Sequence, residues 1–373
     1  MKRSWVEISR SRLAANYRAV RGLAGGSEVC AVVKADAYGH GAVEVSRAVC
    51  AEGARWLAVS GAEEGVALRR AGLVSPRILV MADSVALSGA AMAEHRLTPA
   101  IHDIGEIADW ARIGGGQPYH LKIDSGMGRL GSRSGAAAIA RAVAAGGAAS
   151  FEGLMTHFAS AADYAGSQTG EQIEAFEEMR SALPFAPRYL HLEATTAFAY
   201  RRCAGAGVMA TMVRPGHAIY GYVSPVRVRA GETPPANRLH VLPALSWKAS
   251  LLAVKDVEAG ARVGYGAMYA ADKPMRIGIV AAGYADGVPH RLGNRGRVIA
   301  GGEFAPILGA VSMDVTTIDL TRAPSLRPGD AVTIIGEVGA CVQDAQQVAR
   351  MAGTISYSVL CGIGPRVERV WVD

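Results

Sequence analysis

The sequence predicts a (β/α)8 barrel followed by a mostly β-strand domain, and three observations predict it. Eight short β-rich apolar runs recur through residues 10–235, with helical stretches between most of them. The rhythm then changes near Val223, and Ser224–Arg238 carries three prolines and a glycine, the composition of a linker. Beyond it, strand follows strand, so residues 236–373 read as a β domain. The polar strand pattern of residues 1–9 is expected to join that domain. A chain of 373 residues is too long for one small domain, whereas a barrel absorbs about 250 as a single unit.

The barrel strands are expected at Val29–Val33, Trp56–Val59, Ile78–Met81, Pro99–Ile101, Tyr119–Ile123, Gly153–Thr156, Tyr189–Leu192 and Thr211–Val213. Helical periodicity marks Ser11–Leu23, with Leu13, Tyr17 and Val20 on one face, and Gln172–Leu183. A third helix is expected over Asp103–Ile113, opened by an Asp103-x-x-Glu106 capping box. In the C-terminal domain the strands are Ala244–Val257, Met275–Ala281, Arg297–Ala300, Ala305–Val311, Thr316–Leu320 and Ala331–Ile335, and Asp344–Met351 is the one clear helix. A doubly wound open sheet is the rival fold, but no GxGxxG follows the first strand.

Composition narrows the function classes. Half the residues are apolar and 19% are charged, which excludes a disordered chain. No apolar run reaches the roughly 18 residues of a membrane span, and the first residues carry no apolar signal core. The five cysteines show no CxxC pairing, so a disulfide framework and a metal site are both disfavoured and a reducing cytoplasm fits. The net charge of +6 comes from arginines scattered singly, without a basic run or interleaved aromatics. That pattern suits an anionic small molecule better than a nucleic acid.

In a barrel, chemistry gathers at the C-terminal ends of strands. The first strand end is the most informative: Ala31-Val32-Val33-Lys34-Ala35-Asp36-Ala37-Tyr38-Gly39-His40-Gly41. Lys34 ends an apolar strand, where an ammonium is costly to bury unless paired or neutral. A lysine so placed has two readings. It is a nucleophile toward a carbonyl compound, or it snorkels to solvent. The apolar run alone leaves both open.

The whole motif resembles the pyridoxal-phosphate signature of the alanine racemases, a fold-type III family. Lys122-Ile-Asp-Ser-Gly-Met-Gly-Arg129-Leu-Gly131 is similar to the family's barrel-loop motif. Thr156-His157-Phe158, Arg214-Pro-Gly216-x-x-x-Tyr220-Gly221, Gly264-Tyr265-Gly266 and Gly283-Tyr-Ala-Asp-Gly287 resemble further family motifs. So do Val311-Ser-Met313-Asp314 and Ile355-Ser-Tyr357, and all of these follow family order over almost the whole chain.

The resemblance implies a homodimeric racemase with pyridoxal 5'-phosphate as cofactor, an amino acid as substrate and active sites shared between chains. Lys34 is then the lysine that binds the cofactor covalently and one of two catalytic bases. Tyr265, supplied by the other chain, is the second base, on the opposite face of the α-carbon. Read alone, Tyr265 is as well explained as a turn residue between two glycines. Arg214 is implied to face the pyridine nitrogen; as a cation it discourages protonation there and limits side reactions. His157 is implied to link Arg214 to Tyr265, and Arg129 to contact the cofactor and the substrate carboxylate. Lys122 matches a position sometimes carbamylated to orient that arginine. The phosphate is implied to meet Tyr38, Thr195, Gly216, His217 and Tyr357, and Met313 to offer its amide to the substrate carboxylate. No metal, nucleic acid or membrane is implied.

Departures from the family pattern concern the entrance more than the bases. Where the family reads His-x-x-Asn-Ser-Ala-Ala, this chain has His191-Leu192-Glu193-Ala194-Thr195-Thr196-Ala197. His217 replaces an aliphatic residue and Gly264 a small polar one. His290 and Ala310 stand where arginines are frequent. The expected activity is interconversion of L- and D-alanine for cell-wall synthesis, with a serine or broad-specificity racemase as the alternative. A decarboxylase of related architecture would need a different phosphate motif and a catalytic cysteine region; Cys361 sits in a racemase-like context. A single-barrel cofactor-binding regulator would lack the β domain.

Overall fold

The computed structural model describes residues 2–203 and 210–373. The chain divides into two compact units. One comprises Leu13–Ala37 and Ala42–Leu242. The other takes the N-terminal residues through Arg12, the four residues Tyr38–Gly41, and Pro243–Asp373. The sequence boundary had been expected at 235/236.

The chain opens with β1 (Ser4–Ser9), which belongs to the second unit. The barrel strands follow as β2 (Glu28–Val32), β3 (Trp56–Val59), β4 (Arg77–Val80), β5 (Thr98–Ile101), β6 (Tyr119–Lys122), β7 (Phe151–Met155), β8 (Tyr189–His191) and β9 (Met212–Val213). They pair in parallel in the order β8-β7-β6-β5-β4-β3-β2-β9. No ladder joins β8 to β9. Instead Thr211 N–H donates to the Leu190 carbonyl at 2.9 Å, Leu190 N–H donates to Thr211 Oγ1 at 2.9 Å, and a bridge links Ala194 to Arg214. The ring is therefore near-closed. Its strands are buried on both faces, as parallel strands covered by helices must be, and this is why they read as unbroken apolar runs.

The helix Arg10–Ala24 buries Leu13, Tyr17 and Val20, the face its periodicity marked. The Asp103 capping box does not form. The helix there runs Glu106–Gly114, and Glu106 is its first residue. Asp103 Oδ1 instead accepts the Gly105 N–H at 2.8 Å, a local turn that competes with helix capping. Glu106 turns outward to accept the Val85 N–H at 3.0 Å.

One row of the barrel interior is polar. His120 Nδ1 lies 2.9 Å from His191 Nε2, and His120 Nε2 lies 3.6 Å from Glu152. Glu152 in turn accepts from Arg77 at 2.6 Å. Burial opposes ionisation of Glu152, yet His120 and Arg77 hold its carboxyl down to about 2. Among the described residues no helix is long and apolar enough to cross a membrane.

The second unit is built on β10 (Leu245–Val257), thirteen residues long. With it stand β11 (Arg262–Val263), β12 (Tyr269–Ala270), β13 (Met275–Val280), β14 (Arg297–Ala300), β15 (Glu303–Pro306), β16 (Thr316–Asp319), β17 (Ala331–Val338), β18 (Cys341–Gln343) and β19 (Glu368–Val372). The main sheet runs β15-β14-β17-β10-β1-β19, with β13 also on β10, β16 on β13 and β18 on β17. β1 lies antiparallel to β10 and parallel to β19, so the first strand is interior to this sheet. The strand expected over Ala305–Val311 stops at Pro306; Gly309, at φ +69°, breaks it and turns the chain into a loop.

The indole N–H of Trp247 on β10 donates to Ser4 Oγ on β1 at 2.9 Å, both side chains buried. In Ser4→Ala that donor is stranded without water, at a cost of about 1–3 kcal/mol. Urea unfolding followed by tryptophan fluorescence is expected to show that loss in the C-terminal unit. An unchanged midpoint would show that the bond adds nothing.

Candidate active site

The barrel strands deliver polar side chains at their C-terminal ends: Lys34 after β2, Lys122 ending β6, Thr156 and His157 after β7, Thr195 after β8 and Arg214 after β9. Arg129 is exposed in the loop beyond β6.

The turn after Lys34 is left-handed. Ala35, Asp36, Ala37 and Tyr38 have φ of +51°, +50°, +54° and +53°. Such a turn costs L-residues about 1–2 kcal/mol each. It is held by Ala37 N–H to the Val33 carbonyl at 2.9 Å, Ala35 N–H to Glu64 at 2.7 Å and Ala42 N–H to Asp36 Oδ1 at 2.7 Å. Sequence gave no sign of it, because alanine and aspartate are ordinary helix or turn residues.

Arg214 is buried, and its guanidinium meets only neutral partners. Nη1 donates to the His191 carbonyl at 2.6 Å, and Nη2 to those of Thr156 at 2.6 Å and Leu192 at 3.4 Å. Burial lowers its pKa to about 10, so it stays protonated at neutral pH. No hydrogen bond joins it to the His157 ring among the described residues; Arg214 holds the carbonyl before His157 instead.

Burial, with the charges of Arg214, Lys122, Arg129 and Lys34, pushes His157 down to about 3, so its ring is neutral. Lys122 is buried, and desolvation beside Arg129 and Arg214 lowers its ammonium to about 8. Among the described residues no acidic side chain pairs with Lys122, Arg129 or Arg214; the nearby carboxylate, Asp124, is taken by Arg133. This end of the barrel is thus rich in positive charge, with Asp124 and Glu193 acting on it only at longer range.

The loop carrying Arg129 is shaped by Asp124. Its Oδ1 accepts the N–H groups of Gly126, Met127 and Gly128 at 3.2, 2.9 and 2.9 Å, while Arg133 donates to Oδ2 at 2.8 Å. Against the effect of burial, the Gly128 amide and Arg133 hold Asp124 near 2. Gly131 closes the loop at φ +125°, where a Cβ would stand 2.6 Å from the Asp124 nitrogen. Gln172, a residue the motif reading passed over, ties two loops together. It accepts from Ala159 N–H at 2.8 Å and donates to the His157 carbonyl at 3.1 Å and to Ser125 at 3.4 Å. A buried glutamine on an otherwise apolar helix face was the signal.

Thr195 is buried, and its Oγ1 accepts the N–H groups of Gly216 at 3.1 Å and Ala218 at 3.3 Å. The expected phosphate donors Thr195 and Gly216 are therefore brought together and bonded to each other. His217 is buried with its ring stacked on Tyr222, centroids 4.9 Å apart.

Four expected residues lie in the second unit: Tyr38, Tyr265, Met313 and Tyr357. Tyr38 and Tyr357 face one another with ring centroids 5.8 Å apart. Tyr265 opens a short 3-10 turn between two positive-φ glycines and is 76% exposed. Met268, Tyr284 and Met313 are exposed beside it. The loops bearing them are sewn together: Tyr284 and Ala285 donate to the carbonyls of Ser312 and Met313 at 3.0 Å each, and Asn294 bridges the Met268 carbonyl and the Gly309 N–H. At Gly283 a Cβ would stand 2.3 Å from the Ser312 oxygen, so only glycine permits that approach. Both entrance departures are here. Ala310 packs against Gly264, and the exposed His290 meets Tyr284 edge-on at 6.0 Å.

The chain matches "Alanine racemase, N-terminal domain" over residues 8–225 and "Alanine racemase, C-terminal domain" over residues 244–371. It is 35% identical to the alanine racemase of Halothermothrix orenii, over 98% of this chain and 96% of that protein. To the enzyme of Cutibacterium acnes it is 36% identical, with the same coverage. Among solved structures, alanine racemase from D-cycloserine-producing Streptomyces lavendulae superimposes with a TM-score of 0.89 at 31% identity, covering 100% of this chain and 98% of that one. The Bartonella henselae alanine racemase, with covalently bound pyridoxal phosphate, gives 0.87 at 25% identity, both chains covered in full.

Burial lowers the pKa of four barrel histidines: His102 to about 4, His157 to about 3, and the fully buried His120 and His191. Unfolded, each returns to about 6.5. Below pH 6.5 the unfolded chain therefore binds protons that the native barrel refuses, and stability falls as pH drops toward 4. In His157→Gln, that acid slope between pH 6.5 and 4 is expected to be shallower when unfolding free energies are measured across the range. An identical slope would mean that His157 does not contribute.

Proposed function

The chain belongs to the alanine racemase family, pyridoxal-phosphate-dependent isomerases, and from that premise we propose a two-base interconversion of L- and D-alanine with Lys34 and Tyr265 as the bases. The observation that carries it is the cationic end of the barrel, where Lys34, Lys122, Arg129 and Arg214 all bear on a neutral His157. Positive charge gathered there fits a phosphorylated cofactor and a substrate carboxylate.

Bound pyridoxal phosphate supplies an electron sink that acidifies the α-carbon of the amino acid attached to it. Lys34 would hold it covalently at rest and, with its amine set free when the amino acid takes its place, would move a proton at one face of that carbon. Tyr265, contributed by the other chain of a homodimer, moves a proton at the opposite face. Its 76% exposure amid Met268, Tyr284 and Met313 supports a role completed by a second chain. Arg214, hydrogen-bonded to three carbonyls, would face the ring nitrogen and discourage its protonation. Arg129 and the Met313 amide orient the substrate carboxylate. Tyr38, Thr195, Gly216, His217 and Tyr357 are the residues that would hold the phosphate.

Lys122, with its depressed pKa, is the candidate position for a carbamate, formed from its neutral amine and CO2 with loss of one proton; that reaction would replace its positive charge by a negative one beside Arg129. Ala310 and His290 flank the Tyr265 loop, so they act on substrate choice rather than on proton transfer. The product serves peptidoglycan in the cytoplasm, where free cysteines, two of them buried, remain reduced.

Two experiments test the bases. In Tyr265→Ala, deuterium exchange at Cα is expected to slow about 10²–10⁴-fold for L-alanine and to be spared for D-alanine. Equal slowing with cofactor bound would remove Tyr265 from the mechanism. Lys34→Ala and Tyr265→Phe, each inactive alone, are expected to regain activity on mixing, since one mixed site then holds both bases. Absence of any recovery, or full activity in a monomer, counts against the shared site.

A further inference from the structure

The opposite, N-terminal end of the barrel carries a second cleft, of about 490 Å³. Its back wall is aromatic. Trp56 and Tyr189 begin β3 and β8 and are both buried; their rings meet edge-on at 5.4 Å, and the indole N–H donates to the Tyr189 hydroxyl at 3.4 Å. Around the wall stand three arginines. The Arg77 guanidinium lies 4.0 Å from the Trp56 ring and that of Arg188 5.1 Å from the Tyr189 ring. Arg55 completes the rim.

Two of the three are matched by acids. Arg55 pairs with Glu28 at 2.6 Å and Arg77 with Glu152 at 2.6 Å. Arg188 has no acidic partner among the described residues and reaches solvent. Three guanidiniums against two carboxylates leave one positive charge over an aromatic wall. That excess suits a monoanion; a phosphate dianion would bring a negative charge with nothing to answer it. A guanidinium matches the planar fork of a carboxylate, and the rings offer a face for a flat apolar body.

We propose that this cleft is a binding site for a small organic monoanion, a carboxylate on a planar apolar body, with Arg188 as its charge partner. The site lies at the other end of the strands from Lys34 and Arg214, and it does not depend on the racemase reading.

The test is isothermal titration of the holoenzyme with benzoate, benzamide and inorganic phosphate, in excess alanine so that the catalytic centre is filled. Benzoate is expected to bind once per chain with a dissociation constant of about 1 mM or tighter. Benzamide, the same body without the charge, should bind at least about tenfold more weakly, and so should phosphate. Arg188→Ala should lose about tenfold or more in benzoate affinity while racemase turnover stays as in the parent, and Arg188→Lys should fall between them. Any of three results overturns the proposal: no saturable benzoate binding below about 10 mM, an affinity indifferent to Arg188→Ala, or tighter binding of benzamide or phosphate than of benzoate.

Discussion

The burial of Arg214 with main-chain carbonyls, and no carboxylate, as the hydrogen-bond partners of its guanidinium among the described residues is the constraint around which the barrel's working end is arranged. A guanidinium removed from water must find acceptors, and the acceptors here are main-chain carbonyls. They come from the chain just after β7 and at the end of β8, while Arg214 itself follows β9. One side chain thus clasps three successive strand ends, where β8 and β9 share no ladder. Carbonyl dipoles leave the charge uncancelled, so the field persists. Burial first, and this field in addition, make Lys122 and His157 hold their protons less tightly. Fold closure and site electrostatics are in this sense one arrangement.

Much of this was legible in the sequence, for identifiable reasons. Parallel strands buried on both faces produce unbroken apolar runs, and so the eight strands could be found. Tyr17 and Val20 lie where helical spacing put them. Single residues such as Lys34 were ambiguous in isolation, and only a set of motifs in order gave them meaning. Other features left no trace in pattern. The left-handed turn of Ala35–Tyr38 is imposed by tertiary hydrogen bonds on residues with no preference for it. The Thr195–Gly216 bond joins residues distant in sequence. The polar row from Arg77 through Glu152 and His120 to His191 is assembled from four strands, so no local window contains it.

That polar row also links the two ends of the barrel. An apolar interior would insulate one mouth from the other. Here the ring of His191 touches His120, while the carbonyl of His191 holds Arg214. The Nδ1 of His191 is buried with no partner among the described residues, a cost to stability within the row.

The turn after Lys34 has a consequence for ligand affinity. Four residues held left-handed cannot relax into the common backbone basins while the barrel is folded, so this segment has few conformations left to lose. A molecule arriving at Lys34 meets a wall already set, and ordering entropy is drawn from the folding free energy instead of from the binding free energy. At about 1–2 kcal/mol of backbone ordering for each residue fixed, the amount is comparable to about one decade of affinity for each of them.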